Sequence, residues 1–158
     1  MQKITPFLWF DKEAEEAANF YVSVFKNSKI TNMTKYGPHM PLPEGTLMTA
    51  GLVLDGMEFA LLNGGPEFKF TEAISFVINV KGQEEVDYYW DKLTSDGGEE
   101  SQCGWLKDKF GVSWQVVPEE LYMYLGGSDG EGAMRATQAM LKMKKLIIED
   151  LKNAYEGN

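Results

Sequence analysis

The sequence predicts an α+β fold: two tandem strand–helix–three-strand modules followed by a C-terminal helix. Two observations carry this prediction. One order of strand and helix signals runs through the chain and then runs through it again, and the residues beyond the second copy are helical in pattern alone. The first module is expected at 1–66, the second at 72–118 and the helical extension at 119–158, as one domain of 158 residues.

The first copy opens with a strand at 3–10, rich in aromatic and β-branched residues. A helix over 11–25 follows, with Asp11 as a candidate N-cap, acidic residues in its first turn, and an apolar stripe of Ala14, Ala17, Tyr21 and Val24. Strands are predicted at 28–36, 46–54 and 57–62, and Asp55-Gly56 between the last two is a strong hairpin signal. GPHMPLPEG, with three prolines and two glycines, must be a loop.

The second copy has a strand at 74–80 and a helix at 83–95 with Val86, Tyr89, Trp90 and Leu93 inward. Weaker strands follow at 99–102 and 104–107, then a clear one at 112–117 that Pro118 stops. The two copies align at an offset of 70 in the first strand, 69 in the helix and 55 in the last strand. Beyond Pro118 come a short helix at 119–125, a flexible GGSDGEG break, and a long amphipathic helix at 133–155. Its stripe is Ala136, Met140, Met143, Ile147, Leu151 and Ala154.

Composition bounds the function. Hydrophobic residues are 44% and aromatics 13%, which is globular usage. No stretch approaches the ~20 apolar residues of a membrane span, and charge returns at Asp11 before a signal-peptide core could form. A single cysteine, Cys103, excludes an intrachain disulfide framework, so a cytoplasmic location is expected. The net charge of −9 would repel a phosphate backbone, and the cluster Lys142, Lys144 and Lys145 reads as a solvated helix face. Neither nucleic acid nor membrane is expected as a partner.

KITPFLWFD at 3–11, ANFYVSVF at 18–25, WLKDKFGVSWQVVP at 105–118 and RATQAMLKMKKLIIEDL at 135–151 resemble the vicinal-oxygen-chelate (glyoxalase-like) superfamily, in its PhnB-like branch. Members of that branch often carry the name 3-demethylubiquinone-9 3-methyltransferase. The resemblance implies that the modules form a glyoxalase-like cup. It also implies, for metal-dependent members, a His or Glu near the start of each first strand and a carboxylate in each fourth strand.

Alternation locates those positions. Ile74, Phe76, Ile78 and Val80 are apolar and should pack on the helix, which leaves Ser75, Val77 and Asn79 for the cup. The repeat transfers this to Thr5, Phe7 and Trp9. The four ligand positions then read Thr5, Ala60, Ser75 and Gln115, with no carboxylate, imidazole or thiolate among them. Neutral oxygens cannot replace such donors for a divalent ion, so neither a metal nor another cofactor is expected.

The candidate ligand-binding residues are Thr5, Phe7, Trp9, Tyr36, Ala60, Ser75, Asn79, Trp105 and Gln115. The tryptophans could wall a planar ligand or simply pack, and Gln115 in an apolar cup needs a partner in the protein or in a ligand. Asp108-Lys109-Phe110-Gly111 and Gly64-Gly65-Pro66 read as turns rather than phosphate loops. No Gly-rich strand-to-helix loop supports a methyl-donor site of the Rossmann type. His39 reads as a solvated loop residue, and Cys103 lacks a nearby histidine that would make it a nucleophile.

Three functions fit these residues: a metal-free module binding a small, partly aromatic metabolite, a metal-free enzyme acting on one, or a protein-interaction domain. The lack of an evident acid or base favours binding. A homodimer is also expected, because the apolar stripe of the long helix needs cover and PhnB-like relatives are usually two-fold dimers.

Overall fold

The computed structural model describes residues 2–158 and divides into two compact units, Met1–Phe70 and Thr71–Asn158. The first unit holds β1 (Phe7–Phe10), α1 (Ala14–Val24), β2 (Lys29–Lys35), β3 (Leu47–Leu54) and β4 (Met57–Asn63). Its sheet has the order β1-β4-β3-β2, with β1 and β4 parallel and the other pairs antiparallel. The second unit repeats this with β5 (Phe76–Val80), α2 (Gly82–Thr94), β6 (Glu99–Glu100), β7 (Trp105–Lys107) and β8 (Ser113–Pro118), in the order β5-β8-β7-β6.

Register confirms the repeat. Phe7 pairs with Ala60 in the first sheet and Val77 with Gln115 in the second, which reproduces the offsets of 70 and 55. In each sheet one face packs on the helix: Leu8, Phe10, Ala50, Leu52, Phe59 and Leu61 are buried in the first, and Val80, Leu106, Trp114 and Val116 in the second. The Asp55-Gly56 hairpin forms as expected, with both residues at positive φ.

Three local expectations fail. Strand β5 starts at Phe76, and Ile74, expected on the helix, is 72% exposed in a turn where the Ala73 amide donates to Thr71 Oγ1. Asp11 does not cap α1. The first helical amide, of Ala14, donates instead to Asn63 Oδ1 from the end of β4 at 2.8 Å. Asn63 also donates to the Leu47 carbonyl and accepts the Tyr36 hydroxyl on its own carbonyl, so a buried amide ties helix and strands together.

The third failure is the long C-terminal helix, expected unbroken over 133–155. The extension consists of α3 (Glu119–Leu125), α4 (Gly130–Met140) and α5 (Ile148–Glu156). Asp129 caps α4, so only part of the expected flexible break survives as a connector. Between α4 and α5 the carbonyls of Met143 and Lys144 accept the amides of Cys103 and Gly104, both at 2.8 Å. Leu146 drops fully buried into a cluster with Val117, Leu121 and Leu151. These tertiary bonds outweigh helix propensity. Arg135 on α4 then donates to the carbonyls of Ala154 and Tyr155 at the C-terminal end of α5, where a cation is favoured. The stripe is thus covered within its own unit: Ala136 and Leu151 are buried, and Met140 and Met143 pack on the cluster.

Candidate ligand-binding site

The site is built on the face of the second sheet turned away from α2. Pairing aligns Val77 of β5, Gln115 of β8 and Trp105 of β7 in one row across three strands. Cross-strand partners share a face, so the indole of Trp105 and the amide of Gln115 are neighbours there. Gln115 Nε2 donates to Ser75 Oγ at 2.9 Å, which joins two of the expected site residues directly. Val77 is 46% exposed, and Asn79 is exposed one pleat further along.

Two residues before Gln115 on the same face is Ser113, paired with Lys107. Lys107 Nζ forms an ion pair with Glu72, from the turn that precedes β5. The hydrogen bond from Lys107 holds the Glu72 carboxyl below its usual range, and the same contact raises the Lys107 ammonium. Ser113 is 2% exposed and its hydroxyl has no partner. Alternation along the last strand puts Ser113 on the same face as Gln115, although Ser113 was not among the candidate site residues. At the other end of β8, Val117 is covered by Leu121, Leu146 and Leu151, so the extension bounds the face.

The first unit has an equivalent row, Phe7–Ala60–Gly51, across β1, β4 and β3. Phe7 is 60% exposed, and Thr5 lies exposed just before the strand. Trp9 is half-buried, donates from Nε1 to the Gly65 carbonyl at 2.9 Å, and meets Phe68 edge to face. Tyr36 stands apart from this row, buried, with its hydroxyl donating to the Asn63 carbonyl at 2.5 Å. Trp114 is likewise engaged: its Nε1 donates to Asp108 Oδ2, and Asp108 Oδ1 accepts the amides of Phe110 and Val112.

The four positions at which the resemblance implies metal ligands carry hydroxyls, an amide and a methyl group, and two of those side chains bond to each other. This set does not fit a divalent ion. Among the described residues, no three His, Cys, Asp or Glu residues are grouped to hold one. His39 is exposed in the loop after β2, and Cys103 is half-buried in the turn before β7.

A family model described as 3-demethylubiquinone-9 3-methyltransferase matches residues 2–117. The chain belongs to that family. It is 38% identical to a PhnB protein from Bacillus cereus that carries the same methyltransferase name, over 74% of this chain and 99% of that one, with a TM-score of 0.68. The protein PA1353 from Pseudomonas aeruginosa shares the fold at 23% identity and a TM-score of 0.62, covering 75% of this chain and 98% of its own. A fosfomycin resistance protein, FosX, from Listeria monocytogenes, solved with Mn(II) and sulfate, shares it at 14% identity and a TM-score of 0.55, over 80% of this chain and 98% of that one. No curated protein matches the chain.

The PhnB-like assignment thus holds, the fold is one shared with FosX, and the family match ends where the extension begins. The tail at 135–151 lies outside it. The family's name implies a methyl donor, yet both sheets are mixed and four-stranded, and neither strand-to-helix connection is a glycine-rich loop. The chain does not fit a Rossmann-type donor site.

Proposed function

We propose that this PhnB-like protein binds a small, partly aromatic metabolite on the helix-free face of its second sheet, without a metal ion. The Ser75–Gln115 hydrogen bond beside Trp105 carries this reading. The bonded pair retains a hydroxyl proton, the second amide N–H and the amide oxygen, two donors and one acceptor, to orient a polar group. Trp105 and Val77 flank it with apolar surface on which a ring can lie. No member of this constellation is an acid or base, which favours binding over chemistry.

Phenol and benzyl alcohol are suitable probes, followed by backbone amide shifts. Saturable shifts at Ser75, Val77, Trp105 and Gln115 that need at least ~5-fold more phenol in Gln115→Leu support the reading; no saturable shift on this face ends it. Elemental analysis should find well under one equivalent of Zn, Mn, Ni or Fe, and an equivalent held by these residues would end the metal-free part. With the helical stripe covered within its own unit, a homodimer in solution rests on the PhnB-like resemblance alone, and light scattering should then give twice 17.8 kDa. A mass of one chain would end that part.

A further inference from the structure

Ser113 Oγ is a buried side-chain oxygen without a hydrogen-bond partner, and buried polar groups ordinarily have one. Its cross-strand neighbour is a cation, Lys107, and on the same face two residues along stands the Ser75–Gln115 pair. With Gln115 donating to it, Ser75 keeps its own hydroxyl proton. The face therefore carries an ammonium and two hydroxyl donors, a set that matches an acceptor-only group. A carboxylate already occupies the ammonium: Glu72, from outside the sheet, with its side chain 60% exposed. An exposed pair of this kind contributes little and is readily exchanged.

We propose that Lys107 and Ser113 form a carboxylate subsite that Glu72 occupies in the free protein, so that the natural ligand is a small aromatic acid with its ring on Trp105. This rests on the binding reading above and names its ligand class. The ligand's carboxylate replaces Glu72 on Lys107 and reaches Ser113, while Glu72 swings to solvent. Glu99, paired with Lys107 on the other side, stays in place. With that carboxylate beside the subsite, a monoanion is favoured over a dianionic phosphate.

The test compares benzoate with benzyl alcohol, which has the same ring without the charge, by amide shifts in the wild type and three variants. Benzoate should bind the wild type ~10-fold more tightly than benzyl alcohol, the scale of a charge-assisted hydrogen bond. Lys107→Met and Ser113→Ala should each reduce benzoate towards the benzyl alcohol level. Glu72→Gln should tighten benzoate several-fold and leave benzyl alcohol unchanged. Ser113→Ala should fold at least as well as the wild type, since it removes an unsatisfied buried hydroxyl. Equal affinities for benzoate in the wild type and in Lys107→Met, or weaker benzoate binding in Glu72→Gln, overturn the subsite while benzyl alcohol binding keeps the wider reading intact. Phenyl phosphate binding more tightly than benzoate overturns the carboxylate assignment. If neither ring compound binds, both readings fall.

Discussion

Gln115 Nε2 donates to Ser75 Oγ at 2.9 Å, across the parallel pairing of β8 with β5. The residues are 40 positions apart, and they occupy the two positions of the second module that the vicinal-oxygen-chelate resemblance reserves for metal ligands. A hydroxyl and an amide satisfy one another there, in place of the imidazole or carboxylate donors that would ligate a metal. The same register in the first sheet brings Ala60 opposite Phe7, with no polar group at all. The two halves of the repeat have diverged in chemistry while keeping one backbone pattern.

Gln115→Leu should therefore change binding far more than folding. Gln115 and Ser75 are both half-buried, so water can replace the lost partner of Ser75. Unfolding free energy in urea should move by about 1 kcal/mol or less, whereas phenol affinity should fall by ~5-fold or more, the equivalent of one lost hydrogen bond. A variant that fails to fold would make Gln115 a structural partner instead.

Gly64→Ala should disturb the first unit through Trp9. A Cβ at residue 64 would lie within the indole ring's contact distance on three of its carbons, too close for the ring to stay. Moving the ring costs the Nε1 hydrogen bond to Gly65 and the edge contact with Phe68. Overpacking of this kind typically costs about 1–3 kcal/mol. Thermal denaturation and the near-ultraviolet dichroism of the tryptophans should both change; a variant with unaltered dichroism would mean that the backbone yields rather than the ring.

The face of each strand was legible because alternation and the repeat constrain it twice over. The offsets of 70 and 55 make Phe7–Ala60 and Val77–Gln115 equivalent pairs, and the register carries both. What was not legible depends on contacts far apart in sequence. Asp11 has the right residue type for a cap, but Asn63 reaches the helix first, from 49 positions away. Tyr36 is among the candidate site residues, yet its hydroxyl ends on the Asn63 carbonyl. The break between α4 and α5 contains no proline or glycine, and only the turn at Cys103 and Gly104 explains it. Ser113 shares the alternation of Gln115, but its burial without a partner is visible only in the folded chain.

Acid should loosen the attachment of the extension to α2. Lys145 Nζ lies 2.8 Å from Asp87 Oδ1, and Gln83 Nε2 donates to the same oxygen at 3.0 Å. The Lys145 contact first, and the Gln83 bond second, hold the Asp87 carboxyl below its ordinary value of 3.8. A lowered carboxyl stabilises the fold above the unfolded value and loses that contribution as pH falls through the folded one. Wild type should thus melt above Asp87→Asn at pH 6, and the gap should close as pH drops below 3.8. The gap is modest, because both side chains are partly exposed and solvent screens the pair. A gap that persists unchanged into strong acid would assign the effect to packing.

Leu146→Ala should detach the extension while leaving the sheet of the second unit in place. Leu146 is fully buried against Val117, Leu121 and Leu151, and it approaches Gly104 so closely that a Cβ there would meet its side chain at 3.1 Å. Its carbonyl accepts Gln83 Nε2, and Gln83 Oε1 accepts the Ile148 amide at the start of α5. Leu146 is therefore a central anchor of the segment, beside Leu151, the Lys145–Asp87 ion pair and these hydrogen bonds. Truncation of such a leucine typically costs about 2–5 kcal/mol. The family match ends at residue 117, so the sheet lies within the shared fold and the extension outside the matched residues. The loss should therefore fall on the extension. Hydrogen exchange separates the two: amides of Cys103, Gly104 and Ile148, which bond across this junction, should exchange faster, while those of Val77, Gln115 and Val116 keep their protection. Uniformly faster exchange throughout the second unit would show that extension and sheet form one cooperative block.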